Sequence, residues 1–96
     1  MYIVKLLKEA ELDISDASEW YEKQQKGLAK RFLKELNQYI RSISKNPNKF
    51  NIRFSGKFRF AALKIFPYLI VYRVDSINKI IYVITVFHTS RNPEKF

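Results

Sequence analysis

The spacing of the apolar residues constrains the fold of this chain most, because it changes from a helical period to short continuous runs. Within residues 9–25 the apolar positions recur at intervals of three and four: Ala10, Ile14, Ala17 and Tyr21. That interval places them on one face of a helix. Acidic residues early in this segment complement the positive end of the helix dipole.

A second helical stripe follows almost at once, and it consists of Leu28, Phe32, Leu36, Ile40 and Ile43, with Leu33 beside them. Asn46-Pro47 should end this helix, because the residue before a proline is pushed out of helical geometry. Little more than Lys26 and Gly27 separates the two stripes, and glycine can adopt the left-handed conformation that ends a helix. The two helices must therefore form a hairpin.

The remaining apolar runs predict strands. Residues 2–7 form one such run, and the others are FRFAALKIF (58–66), YLIVYRVD (68–75) and KIIYVITVF (79–87), with Phe66-Pro67 and Ser76-Ile77-Asn78 as turns. Residues 48–57 show neither period and predict a loop. We predict one α+β domain over residues 1–96, in which an N-terminal strand, the helical hairpin and a three-stranded antiparallel meander form a four-stranded antiparallel sheet packed on two helices. The last two runs are apolar on both faces, so they should lie centrally.

Composition excludes several classes of protein. The chain of 96 residues is 47% hydrophobic, which is enough for a core, and it has no cysteine for a disulfide or a thiolate nucleophile. Lys5 and Lys8 interrupt the first apolar run, so it is not a signal peptide, and no run approaches the roughly 20 residues of a membrane helix. We expect a cytoplasmic protein with no membrane contact.

The charge is divided along the chain. Residues 1–25 carry a net charge of −3 and residues 26–96 carry +12, which gives +9 overall. This asymmetry favours an acidic partner, either nucleic acid or a negatively charged protein segment. A basic domain without such a partner is the alternative.

The common catalytic motifs are missing. The sequence has no histidine and acid cluster for a metal, no glycine-rich phosphate loop and no nucleophile motif, so we expect neither metal nor cofactor. One histidine, His88, stands three residues before Arg91, and further cations flank the strands: Lys57, Arg59, Lys64 and Arg73. Such residues could supply the base, the acid and the cations that metal-free RNA cleavage needs. His88 could equally be an imidazole that only binds the backbone, and the cations could serve electrostatic binding alone.

Aromatic residues raise a similar choice. Trp20 and Tyr21 could stack on bases or pack in the core. Phenylalanines alternate with cations across residues 50–60, which fits either a nucleic-acid clamp or the core face of a strand.

Four segments carry a resemblance to a known family: SEWYEKQQKGLAKRFLKEL in the hairpin, KNPNKF after it, FPYLIVYRV in the third strand and VFHTSRNPEKF at the close. Together they cover nearly the whole chain, which resembles the RelE/ParE superfamily of toxins from bacterial toxin-antitoxin pairs. The resemblance implies the fold predicted above and one of two activities. RelE-like members cut messenger RNA on the ribosome, whereas ParE-like members inhibit DNA gyrase without nuclease activity.

Two positions favour the ParE-like branch. Leu69 stands where the nucleases typically carry an arginine, and Phe96 stands nearest to their terminal tyrosine. The resemblance therefore implies a growth-arresting gyrase inhibitor with no favoured catalytic residue and a target-binding surface that includes Arg59, Arg73, His88 and Arg91. The alternatives are a ribosome-dependent nuclease that uses Lys57 together with those four residues, and a relic that has lost its activity.

The resemblance also implies a partner. Toxins of this superfamily are neutralised by a small, usually acidic antitoxin, often through an amphipathic helix packed on the helical hairpin or a strand added to the sheet. Trp20, Tyr21, Arg31 and Lys34 are the candidate antitoxin-binding residues on the hairpin. We expect a hetero-oligomer of toxin and antitoxin.

Overall fold

Two helices cover one face of a mixed β-sheet in a computed structural model, which describes residues 1–50, 52–53 and 56–90. The elements are β1 (Ile3–Leu6), α1 (Lys8–Gln24), α2 (Leu28–Lys45), β2 (Ile52–Arg53), β3 (Phe58–Ala62), β4 (Tyr68–Asp75) and β5 (Ile80–His88). The α+β class, the helical hairpin and the antiparallel meander of β3, β4 and β5 are confirmed. Neither helix is long and apolar enough to cross a membrane within the described ranges.

The hairpin turns where the sequence predicted it. Gly27 has a φ of +87°, in the left-handed region that glycine adopts without steric cost. The Glu22 carboxylate accepts hydrogen bonds from the backbone N–H groups of Gly27 at 3.1 Å and Ala29 at 3.4 Å. A residue of α1 thus satisfies N–H groups at the start of α2 that have no partner within the helix.

The sheet differs from the prediction in two respects. The strand order is β1-β5-β4-β3-β2, so the predicted loop contains a short fifth strand at one edge. At the other edge β1 pairs with β5 in parallel, with Ile3 opposite Ile80, so the expectation of a purely antiparallel sheet was wrong. The helical hairpin is the physical reason, because it returns the chain to the start of β1, where the Tyr2 N–H donates to the Ser44 carbonyl at 3.0 Å. β3 therefore begins at the end of the sheet where β1 begins, and it runs in the same direction as β1. The chain reverses between β3 and β4 and again between β4 and β5, so β5 also runs in the direction of β1.

The main core lies between the helices and the sheet. Its fully buried side chains include Phe32, Leu36 and Ile43 of α2 and Tyr72 and Ile81 of the sheet. A smaller apolar cluster, formed by Phe58, Phe60, Leu69, Val71 and Phe87, is distinct from this core and draws on alternate residues of β3 and β4. The prediction that the last two runs are central and apolar on both faces is confirmed.

A β-bulge interrupts the central strand pair and is held by α1. Val71 lies opposite Thr85 and Tyr72 lies opposite Val83, so β5 has one extra residue between them. The carboxylate of Asp13 accepts the Thr85 hydroxyl at 2.5 Å and the Val86 N–H at 3.1 Å. A bulge disrupts the ladder locally, and here a carboxylate of α1 binds the two residues that follow the extra one.

Candidate functional site

A basic cleft lies where β4 ends. It has a volume of about 650 Å³ and is lined by Asn48, Ile52, Gly56, Lys57, Arg59, Arg73, Val74 and Ser76. Three of the candidate cations, Lys57, Arg59 and Arg73, line this cleft. The strand register places Arg73 opposite Phe58 and Arg59 opposite Tyr72, so the two arginine side chains leave opposite faces of the sheet at its edge.

Arg59 also holds the fold together. Its Nη1 donates to the Phe50 carbonyl at 2.6 Å, and the nearby Tyr72 hydroxyl donates to the Pro47 carbonyl at 2.8 Å. Both bonds fasten the segment after α2 to the sheet. Burial raises the pKa of Tyr72 to about 12, although the positive charge of Arg59 opposes this shift.

Arg73 lies over an aromatic ring. Its guanidinium carbon is 4.6 Å from the ring centre of Tyr82, which is its cross-strand neighbour on β5. The nearby carboxylate of Asp75 accepts both the side-chain amide of Asn78 at 2.9 Å and its backbone N–H at 3.1 Å. These hydrogen bonds, the side-chain one first, lower the pKa of Asp75.

His88 lies at the other end of the sheet. It pairs with Tyr68, which is five residues before Arg73 on β4 and hence roughly 17 Å away along the strand. The His88 Nδ1 accepts the Ser90 N–H at 3.1 Å, so a neutral imidazole carries its proton on Nε2. The imidazole meets the Tyr68 ring edge to face at 5.1 Å and borders a cleft of about 260 Å³ together with Asp13. The structure thus separates His88 from the three cations.

Arg91 and Phe96 lie outside the described residues, as does Phe54, one of the phenylalanines that alternate with cations across residues 50–60. Among the residues that are described, no three histidine or acidic side chains come together in a way that could hold a metal ion.

The candidate antitoxin-binding residues occupy two different environments. Trp20 is 46% exposed, whereas Tyr21 is only 7% exposed and packs its ring 4.9 Å from that of Phe66. Tyr21 therefore contributes to the core and offers little surface to a partner. Arg31 and Lys34 are exposed on α2.

Sequence reasoning missed a further cleft, which has a volume of about 310 Å³ and is lined by Arg31, Lys34, Glu35, Gln38, Ile65 and Phe66. Glu35 is 5% exposed, and its carboxylate accepts three consecutive backbone N–H groups of the β3–β4 loop. One feature of the sequence does point to the buried carboxylate at this cleft. Glu35 stands between Phe32 and Leu36 on the apolar stripe of α2, where a carboxylate needs partners.

Comparisons with known proteins give a consistent result. A family described as the ParE toxin of the type II toxin-antitoxin system parDE matches residues 4–93. No curated protein matches the chain at a significant level.

Solved structures of toxin-antitoxin proteins share the fold. The chromosomal ParDE toxin-antitoxin system of P. aeruginosa has a TM-score of 0.79 at 15% identity, covering 92% of this chain and 96% of that chain. The RelBE2 toxin-antitoxin complex of Mycobacterium tuberculosis has a TM-score of 0.65 at 18% identity, with coverages of 91% and 96%. The isolated E. coli RelE toxin has a TM-score of 0.62 at 16% identity, with coverages of 92% and 84%.

Proposed function

Because the chain belongs to the ParE toxin family of type II toxin-antitoxin systems, we propose that it arrests bacterial growth by binding and inhibiting DNA gyrase. We further propose that an acidic antitoxin neutralises it in the cytoplasm. The toxin would act by occupying a surface of its target and would need neither a cofactor nor catalytic chemistry of its own.

The position of Leu69 carries this proposal. It lies opposite Phe87 and packs with the smaller apolar cluster of Phe60, Val71 and Phe87. RelE-like nucleases resemble this chain but typically have an arginine at the matching position. An aliphatic side chain there can neither bind a phosphate nor stabilise a developing charge.

The spacing of the cations supports the same conclusion. Metal-free RNA cleavage needs its acid, base and cations within hydrogen-bond reach of one phosphate. Arg73 and His88 lie at opposite ends of the sheet. Binding to a broad target surface tolerates such separation, and Arg59, Arg73, His88 and Arg91 are the proposed contacts.

Two observations support an antitoxin as the partner: the net charge of the chain and the complexes formed by similar proteins. The chain carries a net charge of +9, which attracts an acidic protein. Two of the similar solved structures are toxin-antitoxin complexes, RelBE2 of Mycobacterium tuberculosis and RelBE of E. coli. We propose that this chain likewise forms a hetero-oligomer with its antitoxin.

A ribosome-dependent endoribonuclease is the second candidate, because Lys57, Arg59 and Arg73 do converge on one cleft. In that function they would bind the message, and His88 and Arg91 would act on the scissile phosphate. The two candidates predict different damage in the cell.

The deciding experiment induces the protein in a bacterium that lacks the antitoxin. The 5′ ends of all messages are mapped while DNA damage and supercoiling are scored in the same culture, and the purified protein is added to a gyrase supercoiling assay. Gyrase inhibition predicts intact messages, a damage response and lost supercoiling. New message ends inside translated frames, abolished by His88→Ala, would establish the nuclease instead.

A matched pair of variants locates the target surface. Arg73→Ala should weaken gyrase inhibition, because its guanidinium lies at the basic cleft. Lys45→Ala removes the same charge from an exposed position at the end of α2 and should leave inhibition unchanged. Arg59→Ala is a poor probe, since it also removes the hydrogen bond to Phe50.

A further inference from the structure

The β3–β4 loop is fixed from two sides. The buried carboxylate of Glu35 accepts the N–H groups of Lys64 at 3.1 Å, Ile65 at 2.8 Å and Phe66 at 3.0 Å. On the far side the Pro67 carbonyl accepts the N–H of Thr89 at 2.9 Å. Successive backbone N–H groups that bind one anion form a nest, so the Glu35 carboxylate positions this loop against α2.

This loop presents an apolar side chain to solvent. Ile65 is 69% exposed although its own backbone is held by a buried charge. It borders the cleft of about 310 Å³ beside α2, in which Phe66 supplies further apolar surface. The cleft is large enough for one aromatic or branched aliphatic side chain.

The charged side chains that this cleft offers to a ligand are all positive. Arg31 and Lys34 line it from α2, and the exposed Lys64 adjoins it on the loop. Within the ranges that the structure describes, these three cations form no ion pair, whereas Lys23 is paired with Glu19. The one acid at the cleft, Glu35, has its carboxylate oxygens directed to backbone N–H groups.

We propose that this cleft receives a bulky apolar side chain from an acidic segment of the antitoxin, with Ile65 as the anchor contact and Glu35 as the residue that positions it. The assignment rests on the proposed neutralisation by an acidic antitoxin. Apolar surface at the centre with unpaired cations at the rim complements a segment in which carboxylates flank one large apolar residue. Trp20, the exposed aromatic residue among the candidate antitoxin contacts, is not among the residues that line this cleft.

A peptide pair tests the cleft directly. The probe is a short fluorescein-labelled peptide of Glu and Ser with a single central Phe, and its twin has Ser in place of Phe. Fluorescence anisotropy with the full chain should show the Phe peptide binding on the order of tenfold more tightly, because its phenyl ring leaves water for the apolar surface of the cleft.

Two isoleucine variants make the test specific. Ile65→Ser should abolish the difference between the peptides, whereas Ile77→Ser should preserve it, because Ile77 is 91% exposed on the β4–β5 turn, away from the cleft. Arg31→Ala and Lys34→Ala should weaken both peptides a few-fold, and the charge-matched Lys45→Ala should not.

Several results would overturn the proposal: undetectable binding of the Phe peptide, equal binding of the two peptides, or equal losses in the two isoleucine variants. Self-association that depends on Ile65, measured by sedimentation, would assign the cleft to a second copy of the chain and would also refute it.

Growth assays distinguish failure of the cleft proposal from failure of the proposed toxin activity. Ile65→Ser should still arrest growth, because the proposed target contacts lie elsewhere. If the wild-type chain causes no arrest, the proposed function fails, and the peptide comparison still decides whether the cleft binds an acidic segment.

Discussion

Glu35 gives the sharpest prediction about stability. Its carboxylate accepts three backbone N–H groups, at 2.8–3.1 Å, and the side chain is 5% exposed. A hydrogen bond to a charged group contributes about 1.5–3 kcal/mol, but removal of a carboxylate also removes its own desolvation cost. Glu35→Ala leaves those N–H groups without their acceptor. We therefore expect the free energy of unfolding to fall by about 3–5 kcal/mol, a large share of the roughly 5–15 kcal/mol of a whole domain.

Urea unfolding followed by circular dichroism measures this loss. Glu35→Gln keeps one acceptor oxygen but turns an amide group toward an N–H, so its cost should be intermediate. Glu19→Gln is the matched control, because Glu19 forms an exposed pair with Lys23 and should change stability by less than about 1 kcal/mol. If Glu35→Ala cost no more than this control, the carboxylate would not be holding the loop, and its role as the positioning residue would fall with it.

Three further predictions concern the sheet and the hairpin. Because the folded-state pKa of Tyr72 is raised to about 12, its contribution to stability is present below its ordinary pKa of about 10 and is lost as pH rises through 12. Tyr72→Phe removes the hydrogen bond to Pro47 and should lower the free energy of unfolding by about 1 kcal/mol at neutral pH. In urea titrations from pH 8 to 12 the variant should also lack the alkaline loss of stability. An alkaline slope equal to that of the wild type would show that Tyr72 is not the group responsible. Asp13→Ala removes the carboxylate that accepts the Thr85 hydroxyl and the Val86 N–H and should cost about 2–3 kcal/mol in the same assay, while a cost near zero would mean that water replaces the carboxylate. Gly27→Ala should cost about 1 kcal/mol through its positive φ alone, since open space surrounds the added methyl group, and a stabilising effect would contradict this.

The helices and the central strands could be predicted because local spacing determines them. Phe32, Leu36 and Ile43 recur at helical intervals and are buried as expected. The two central strands were identifiable because an apolar run on both faces has to be covered on both faces.

The direction of β1 could not be predicted, because a short strand of four residues contains no signal for its partner. The hairpin of the two helices decides it, through the position to which it returns the chain. The short strand β2 was missed for a related reason, since two residues cannot display a period.

The candidate site was predicted only in part. Cations near strand ends could be recognised, and Lys57, Arg59 and Arg73 do meet in one cleft. Their separation from His88 depends on register, which no single-sequence pattern reports. The cleft at Ile65 was missed because its residues lie about 30 positions apart in sequence and meet only when Glu35 binds the loop.

The parallel pairing of β1 and β5 also bears on the order in which the chain can fold during synthesis. Ile3 leaves the ribosome early, yet the residue opposite it, Ile80, is made 77 positions later. The helical hairpin can form while translation continues, because its contacts are local, whereas a sheet closed by distant contacts forms late and slowly. A chain whose translation stops before β5 lacks the strand that joins β1 to the meander. The complete sheet is therefore restricted to chains synthesised at least through His88, and a truncated product should not reach the toxin fold.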